Sequence, residues 1–113
     1  MNKGTIVLAP FPFTDLTGNK LRPALIISTN AKRGNDVIIS FISSRVETYT
    51  RELDFVLDVS HPDFKTTGLK VSSVFKMDKF VTIEKRLIVG EIGKASDSII
   101  TELNKRLRLV FGI

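Results

Sequence analysis

Apolar residues in this chain come in short runs, and nearly every run is cut by proline, glycine or a cluster of turn-forming polar residues. Thr5-Ile6-Val7-Leu8-Ala9 stops at the two prolines of Pro10-Phe11-Pro12-Phe13. A loop follows, Thr14-Asp15-Leu16-Thr17-Gly18-Asn19-Lys20, and then the apolar run Pro23-Ala24-Leu25-Ile26-Ile27-Ser28. A turn at Arg33-Gly34-Asn35-Asp36 precedes Val37 to Ser43, and Leu53 to Asp58, Ser73 to Phe80 and Leu87 to Ile92 follow. Such runs are too short for buried helices and rich in β-branched residues, so they predict strands. Pro23 is tolerable at the start of its strand, where the missing N–H breaks no ladder. Short strands at this spacing predict a small barrel or sandwich.

The last stretch has a different period. Ile100, Leu103, Leu107 and Val110 recur at helical spacing. Ser96 is the expected N-cap, Asp97 suits the positive end of the helix dipole, and Gly112 marks the stop. Lys105, Arg106 and Arg108 gather near the negative end. One amphipathic helix laid on a sheet is expected over about residues 96–111, after a β-rich body over about residues 4–93. Nothing reads as a linker or repeat, so 113 residues make a single domain. A chain of this length buries about 65% of its unfolded surface, enough for one core.

Composition narrows the chemistry. With no cysteine and one histidine, disulfides and thiolate chemistry are excluded and a zinc site is not expected. No apolar run reaches the roughly 18–20 residues that span a bilayer, and residues 1–4 carry no signal-peptide pattern. A cytoplasmic protein without a membrane partner is the expectation. Seventeen basic residues against twelve acidic ones give a net charge of +5, with most of the excess in the second half. That balance suits a nucleic-acid partner and equally a soluble surface.

Familiar nucleotide-binding and hydrolase motifs are missing, as are carboxylate clusters at metal-ligand spacing. No metal and no cofactor are expected. Asp54 and Asp58 read as a solvated strand edge, and His61, before Pro62, as an exposed loop residue. Arg22 stands between a glycine-containing loop and a continuous apolar strand. There its planar fork can hold a phosphate in two places, or pair across strands with Asp54 or Asp78. Alternation over Ser73–Phe80 sends Phe75 and Met77 to the core and puts Lys76 and Asp78 together on the exposed face. That is a base beside a cation, or an ordinary surface pair. Ser43 is a strand-end serine whose hydroxyl is suited to a phosphate oxygen.

Several segments in order resemble the PemK/MazF (Kid-like) toxins of type II toxin-antitoxin systems. They are Gly4-Thr5-Ile6-Val7-Leu8, Phe11-Pro12-Phe13-Thr14-Asp15-Leu16, Leu21-Arg22-Pro23-Ala24-Leu25-Ile26-Ile27, Val37 to Ser44, Thr67-Gly68-Leu69-Lys70 to Ser73-Val74, Asp78 to Leu87, and Ile92 to Asp97 with the final helix. The resemblance implies a mainly β, SH3-like small barrel of the CcdB/MazF type with a C-terminal helix, and a homodimer. It implies an mRNA interferase, a sequence-specific, metal-independent endoribonuclease that cuts single-stranded RNA through its own 2′-hydroxyl. It also implies a cognate acidic antitoxin.

Residue by residue, the family's phosphate-binding arginine falls on Arg22 and its strand-end hydroxyl on Ser43. An arginine and aspartate two apart fall on Lys76 and Asp78, while the family's loop histidine has no counterpart in residues 14–20. Phe11, Phe13 and Phe80 are the aromatic candidates for stacking bases, or pack the barrel rim. Thr17, Lys20 and Lys79 complete the RNA-binding set. Three alternatives stand beside the nuclease: a CcdB-like gyrase-binding toxin, a catalytically weak module that binds RNA or antitoxin, and a plain SH3-like adaptor. For the adaptor, the acidic, aromatic groove that takes proline-rich ligands is missing.

Overall fold

In the computed structural model, which describes residues 1–10, 20–29 and 34–113, six strands form one curled antiparallel sheet. They are β1 (Thr5–Pro10), β2 (Leu21–Ile26), β3 (Asp36–Ser43), β4 (Asp54–Leu57), β5 (Ser73–Glu84) and β6 (Gly90–Lys94). Their order across the sheet is β4-β5-β3-β2-β1-β6, so the first and last strands of the chain lie side by side. A single helix, α1 (Asp97–Phe111), follows. The expected mainly-β body with one C-terminal helix is what the chain forms.

Each face of the sheet carries its own apolar cluster. Ile6, Leu25, Ile42, Leu57, Phe75 and Met77 pack with Ile99 and Leu103 of α1 on one side. Val7, Ala9, Ala24, Ile26, Val37 and Ile39 pack on the other, where β5 and Ile88 help to cover them. Strict alternation explains the split: Ile6 pairs with Leu25 and Val7 with Ala24, so consecutive residues serve opposite faces. The edge strands β4 and β6 share no ladder. The 3-10 turn Lys65–Thr67, in the connection from β4 to β5, lies against β6. Thr66 Oγ1 donates to the Lys94 carbonyl at 3.3 Å. Gly68, at φ 71°, is needed there, because a Cβ would stand 1.9 Å from the Ile92 carbonyl oxygen.

The helix starts and stops as its sequence predicts. Ser96 is extended, its Oγ accepts from Ile99 N at 3.3 Å, and Gly112 closes the helix at φ 67°. The Ser96 hydroxyl also donates to Asp63 at 2.7 Å, which ties the helix start to the 61–68 loop. Within that loop His61 Nδ1 accepts from Asp63 N at 3.0 Å, so this histidine caps its own turn and is half-buried.

Strand limits differ in places, for identifiable reasons. β2 begins at Leu21 and ends at Ile26, two residues earlier than the apolar run suggests. Ser28 has left the strand and uses Oγ to accept from Ile38 N at 3.0 Å. Residues 85–87 form a 3-10 turn, so β6 starts at Gly90 rather than Leu87. β5 runs on to Glu84 because it is interrupted by a bulge instead of ending at Phe80.

Candidate active site

That bulge decides the site. Ser40 of β3 pairs with Phe80, yet the next residue, Phe41, pairs with Lys76. Met77, Asp78 and Lys79 are therefore looped out of the ladder, which cancels the two-residue alternation between Lys76 and Asp78. Met77 turns to the helix-side core, while Asp78 and Lys79 are exposed. The expectation that Lys76 and Asp78 share one exposed face is thus overturned. Lys76 is only 6% exposed.

Register brings the other candidates together. Asp54, Lys76, Phe41 and Ala24 form a row across β4, β5, β3 and β2. Two residues further along lie Val56, Val74 and Ser43, and continuing the β2–β3 pairing by two residues sets Arg22 opposite Ser43. Residues two apart share a face, so Arg22, Ser43 and Lys76 all belong to the face away from α1. There they line one cavity of about 650 Å³, together with Lys79, Arg45, Lys70, Ser44 and Thr48. Among the described residues its lining holds five cationic side chains and no carboxylate.

Individual groups are set up for an anion. Arg22 Nε is buried and has no hydrogen-bond partner among the described residues. A buried donor without a partner is costly, and an incoming phosphate oxygen would satisfy it. The cross-strand ion pair that Arg22 was otherwise expected to make is taken by Lys76 instead. Lys76 Nζ donates to Asp54 Oδ2 at 2.8 Å and to the Thr48 carbonyl. Asp54 is 0% exposed, the reverse of the solvated edge expected of it. The Ser43 Oγ accepts from Arg45 N at 3.0 Å, and no described group takes its proton. Arg45 pairs with Glu47 at 2.9 Å, whose carboxyl that guanidinium holds below the usual range.

The remaining sequence candidates do not meet here. Asp78 sits on the exposed bulge and is not part of the cavity lining, although its neighbour Lys79 is. Phe80 lies in a separate groove against α1, its ring 5.5 Å from that of Phe111. Lys20 is exposed just before β2 and does not line the cavity. Phe11, Phe13 and Thr17 lie outside the described residues. Sequence reasoning passed over Arg45, Lys70 and Thr48. The Ser44-Arg45 step after a strand-end serine, and Lys70 within the Thr67–Ser73 segment, are the only signals that point to them. Asp54 was missed because its alternation resembles that of an exposed edge. No group of His, Cys, Asp and Glu able to hold a metal ion occurs among the described residues.

A small curled antiparallel sheet, backed on one face by a helix and hollowed on the other into a cation-lined cavity, defines a class of compact β proteins suited to an anionic ligand. The particular family follows from sequence: residues 2–111 match the PemK-like, MazF-like toxins of type II toxin-antitoxin systems, and the chain belongs to that family. Its fold is shared with Mycobacterium tuberculosis toxin MazF-mt6, at a TM-score of 0.75 and 21% identity over 96% of this chain and 97% of that one. An endoribonuclease from a mycobacterial species, solved in complex with its cognate antitoxin, matches at 0.74 and 20% identity over 100% and 96%. A chain of the MazE-MazF structure from Deinococcus radiodurans matches at 0.72 and 19% identity, again over 100% and 96%. Among curated proteins, none matches significantly. No helix among the described residues is long and apolar enough to cross a membrane.

Proposed function

We propose that the chain is a sequence-specific mRNA interferase, a metal-independent endoribonuclease acting on single-stranded RNA. The observation that carries this reading is the cavity itself, where Arg22, Ser43 and Lys76 converge with no carboxylate in the described lining. Single-stranded RNA brings its own nucleophile, the 2′-hydroxyl, so the protein has to orient the ribose and stabilise charge on the phosphate. Arg22 holds two phosphate oxygens with its fork, its unpartnered Nε–H among the donors. Ser43 donates its hydroxyl proton to a third oxygen. Lys76 places a fixed positive charge against the phosphorane as the P–O5′ bond breaks. We assign the 2′ proton to Asp78, which lies outside the cavity lining on the exposed bulge, next in sequence to the lining residue Lys79, and so would have to receive it through water. The departing 5′-oxygen takes a proton from solvent water, and the products are a 2′,3′-cyclic phosphate and a 5′-hydroxyl.

The partners follow from the same surface. Arg45, Lys70 and Lys79 extend the positive lining outward, and Lys20 adds charge at the start of β2. An acidic antitoxin segment would occupy this groove in place of RNA, folding as it binds. A homodimer is part of this proposal, testable by light scattering. A second reading, an RNA-binding module with weak catalysis, is favoured by one observation: two of the three Lys76 N–H groups are already committed inside the protein.

Incubating purified, antitoxin-free protein with a long RNA in excess EDTA separates these readings. Cleavage should persist and leave 2′,3′-cyclic phosphate and 5′-hydroxyl ends. Binding without cleavage would favour the module, and 5′-phosphate ends or dependence on Mg²⁺ would remove the proposed mechanism. Competition between antitoxin and a non-cleavable RNA should be mutual and weaken as salt rises; a stable ternary complex would refute occupancy of the groove.

A further inference from the structure

Lysine is a poor choice for a fixed catalytic charge, because its ammonium rotates on a flexible four-carbon stem, whereas the planar fork of arginine is pre-organised. In this chain the stem is immobilised from behind. Asp54 and Lys76 are register partners on β4 and β5, and Asp54 Oδ2 accepts from Lys76 Nζ at 2.8 Å. The same oxygen accepts from Thr50 N at 2.9 Å, which anchors the carboxylate to the segment that also carries Thr48. The Thr48 carbonyl is the second acceptor for Lys76. Arg106 of α1 donates to the Asp54 carbonyl at 3.3 Å and covers the Phe55 ring at 5.3 Å, so the helix fixes the backbone of this edge strand. Asp54 is 0% exposed and does not line the cavity, whereas Lys76 does. An ammonium has three N–H groups. Two are held by the protein, and the third is left for the cavity.

We propose that Asp54 is a positioning residue that acts only through Lys76, holding its ammonium with one N–H presented to the phosphate in the cavity. This rests on the ribonuclease reading for its catalytic consequence, but not for its geometry. The pair is therefore a device for making lysine behave as the rigid, pre-aimed donor that an arginine fork would otherwise provide. The carboxylate touches neither substrate nor cavity and takes no proton in the reaction.

Two measurements test this. The first uses the wild-type protein and a 2′-deoxy oligonucleotide, which cannot be cleaved, with the Lys76 ammonium followed by ¹⁵N NMR. A held ammonium exchanges its protons slowly, so the resonance should be visible before the oligonucleotide is added and should shift on binding. A resonance that exchanges as fast as those of surface lysines, or does not move, overturns the proposal whether or not the protein cuts RNA. The second is kinetic. Asp54→Asn should lower kcat by about tenfold or more with KM changed less than about threefold. In a Lys76→Met background the same substitution should cost no further activity. Equal losses from Asp54→Asn in both backgrounds would show that Asp54 does not act through Lys76. If wild-type protein cuts no RNA while the ammonium is protected and shifts with the oligonucleotide, the ribonuclease reading fails and the positioning stands.

Discussion

Lys76→Met breaks a buried ion pair, so its stability effect can be worked directly from the structure. The charges stand 2.8 Å apart, with Asp54 0% and Lys76 6% exposed. At an effective dielectric constant near 20 their attraction is about 6 kcal/mol. Desolvating each ion costs several kcal/mol, so the intact pair contributes close to nothing net. The consequences of breaking it are different. Met fills much of the lysine stem but strands a buried carboxylate whose Oδ1 already has no partner among the described residues. The expected loss is about 3–5 kcal/mol. For 113 residues the unfolding entropy is about 240 cal/mol/K, so each kcal/mol moves Tm by about 4 °C. Lys76→Met should therefore melt about 12–20 °C lower. The double variant Asp54→Asn/Lys76→Met removes both charges and keeps an acceptor for Thr50 N. It should recover to within about 1–2 kcal/mol of wild type. Urea unfolding followed by circular dichroism measures all three proteins, with m unchanged as the check on two-state behaviour. A single-variant loss below about 1 kcal/mol, or a double variant no more stable than the single one, would refute the claim that this pair is desolvated and coupled.

Arg22→Lys keeps the charge but loses the fork and the buried Nε donor, so RNA cleavage should fall by about tenfold or more while the melting temperature holds; activity at the wild-type level would unseat Arg22 as the phosphate ligand. Gly68→Ala pushes a methyl into the Ile92 carbonyl and should detach the 65–71 segment, whose residues 68–71 line the cavity, from β6, at about 2 kcal/mol or more; hydrogen exchange confined to residues 65–71 and β6 is the expected signature, and an unperturbed variant would contradict it. Acid should weaken the fold through three carboxyls held below their usual range: Asp58 by the Ser60 and Ser72 hydroxyls, Glu102 by Arg106 and then Lys105, and Glu47 by Arg45. Stabilisation from a lowered carboxyl is complete above its unfolded value, near pH 4, and is lost as pH falls through the folded value. Melting between pH 6 and pH 2 should thus decline from about pH 4 downward, and Asp58→Asn should flatten part of that slope.

Much of this protein is written locally. The punctuation of short apolar runs by proline, glycine and turn clusters places all six strands, because strand length and β-branching are properties of each segment alone. The capped helix is legible for the same reason: Ser96, Asp97 and Gly112 act within one turn of the residues they serve. Arg22 and Ser43 could be singled out from their places at strand ends. The tertiary structure alone decided what surrounds them. The bulge at 77–79 cannot be read from β5, since it depends on which residues of β3 stand opposite, and it separates Asp78 from Lys76. Asp54 looks like an exposed edge residue until β5 brings a lysine across from it and the Thr48–Thr50 segment closes over both. Arg45, Lys70 and Lys79 are scattered along the chain, and only the curl of the sheet gathers their charges around one cavity. Period and capping are short-range and survive in the sequence. Burial of a charge and convergence on a site are long-range, and they exist only once strands distant in sequence are packed side by side.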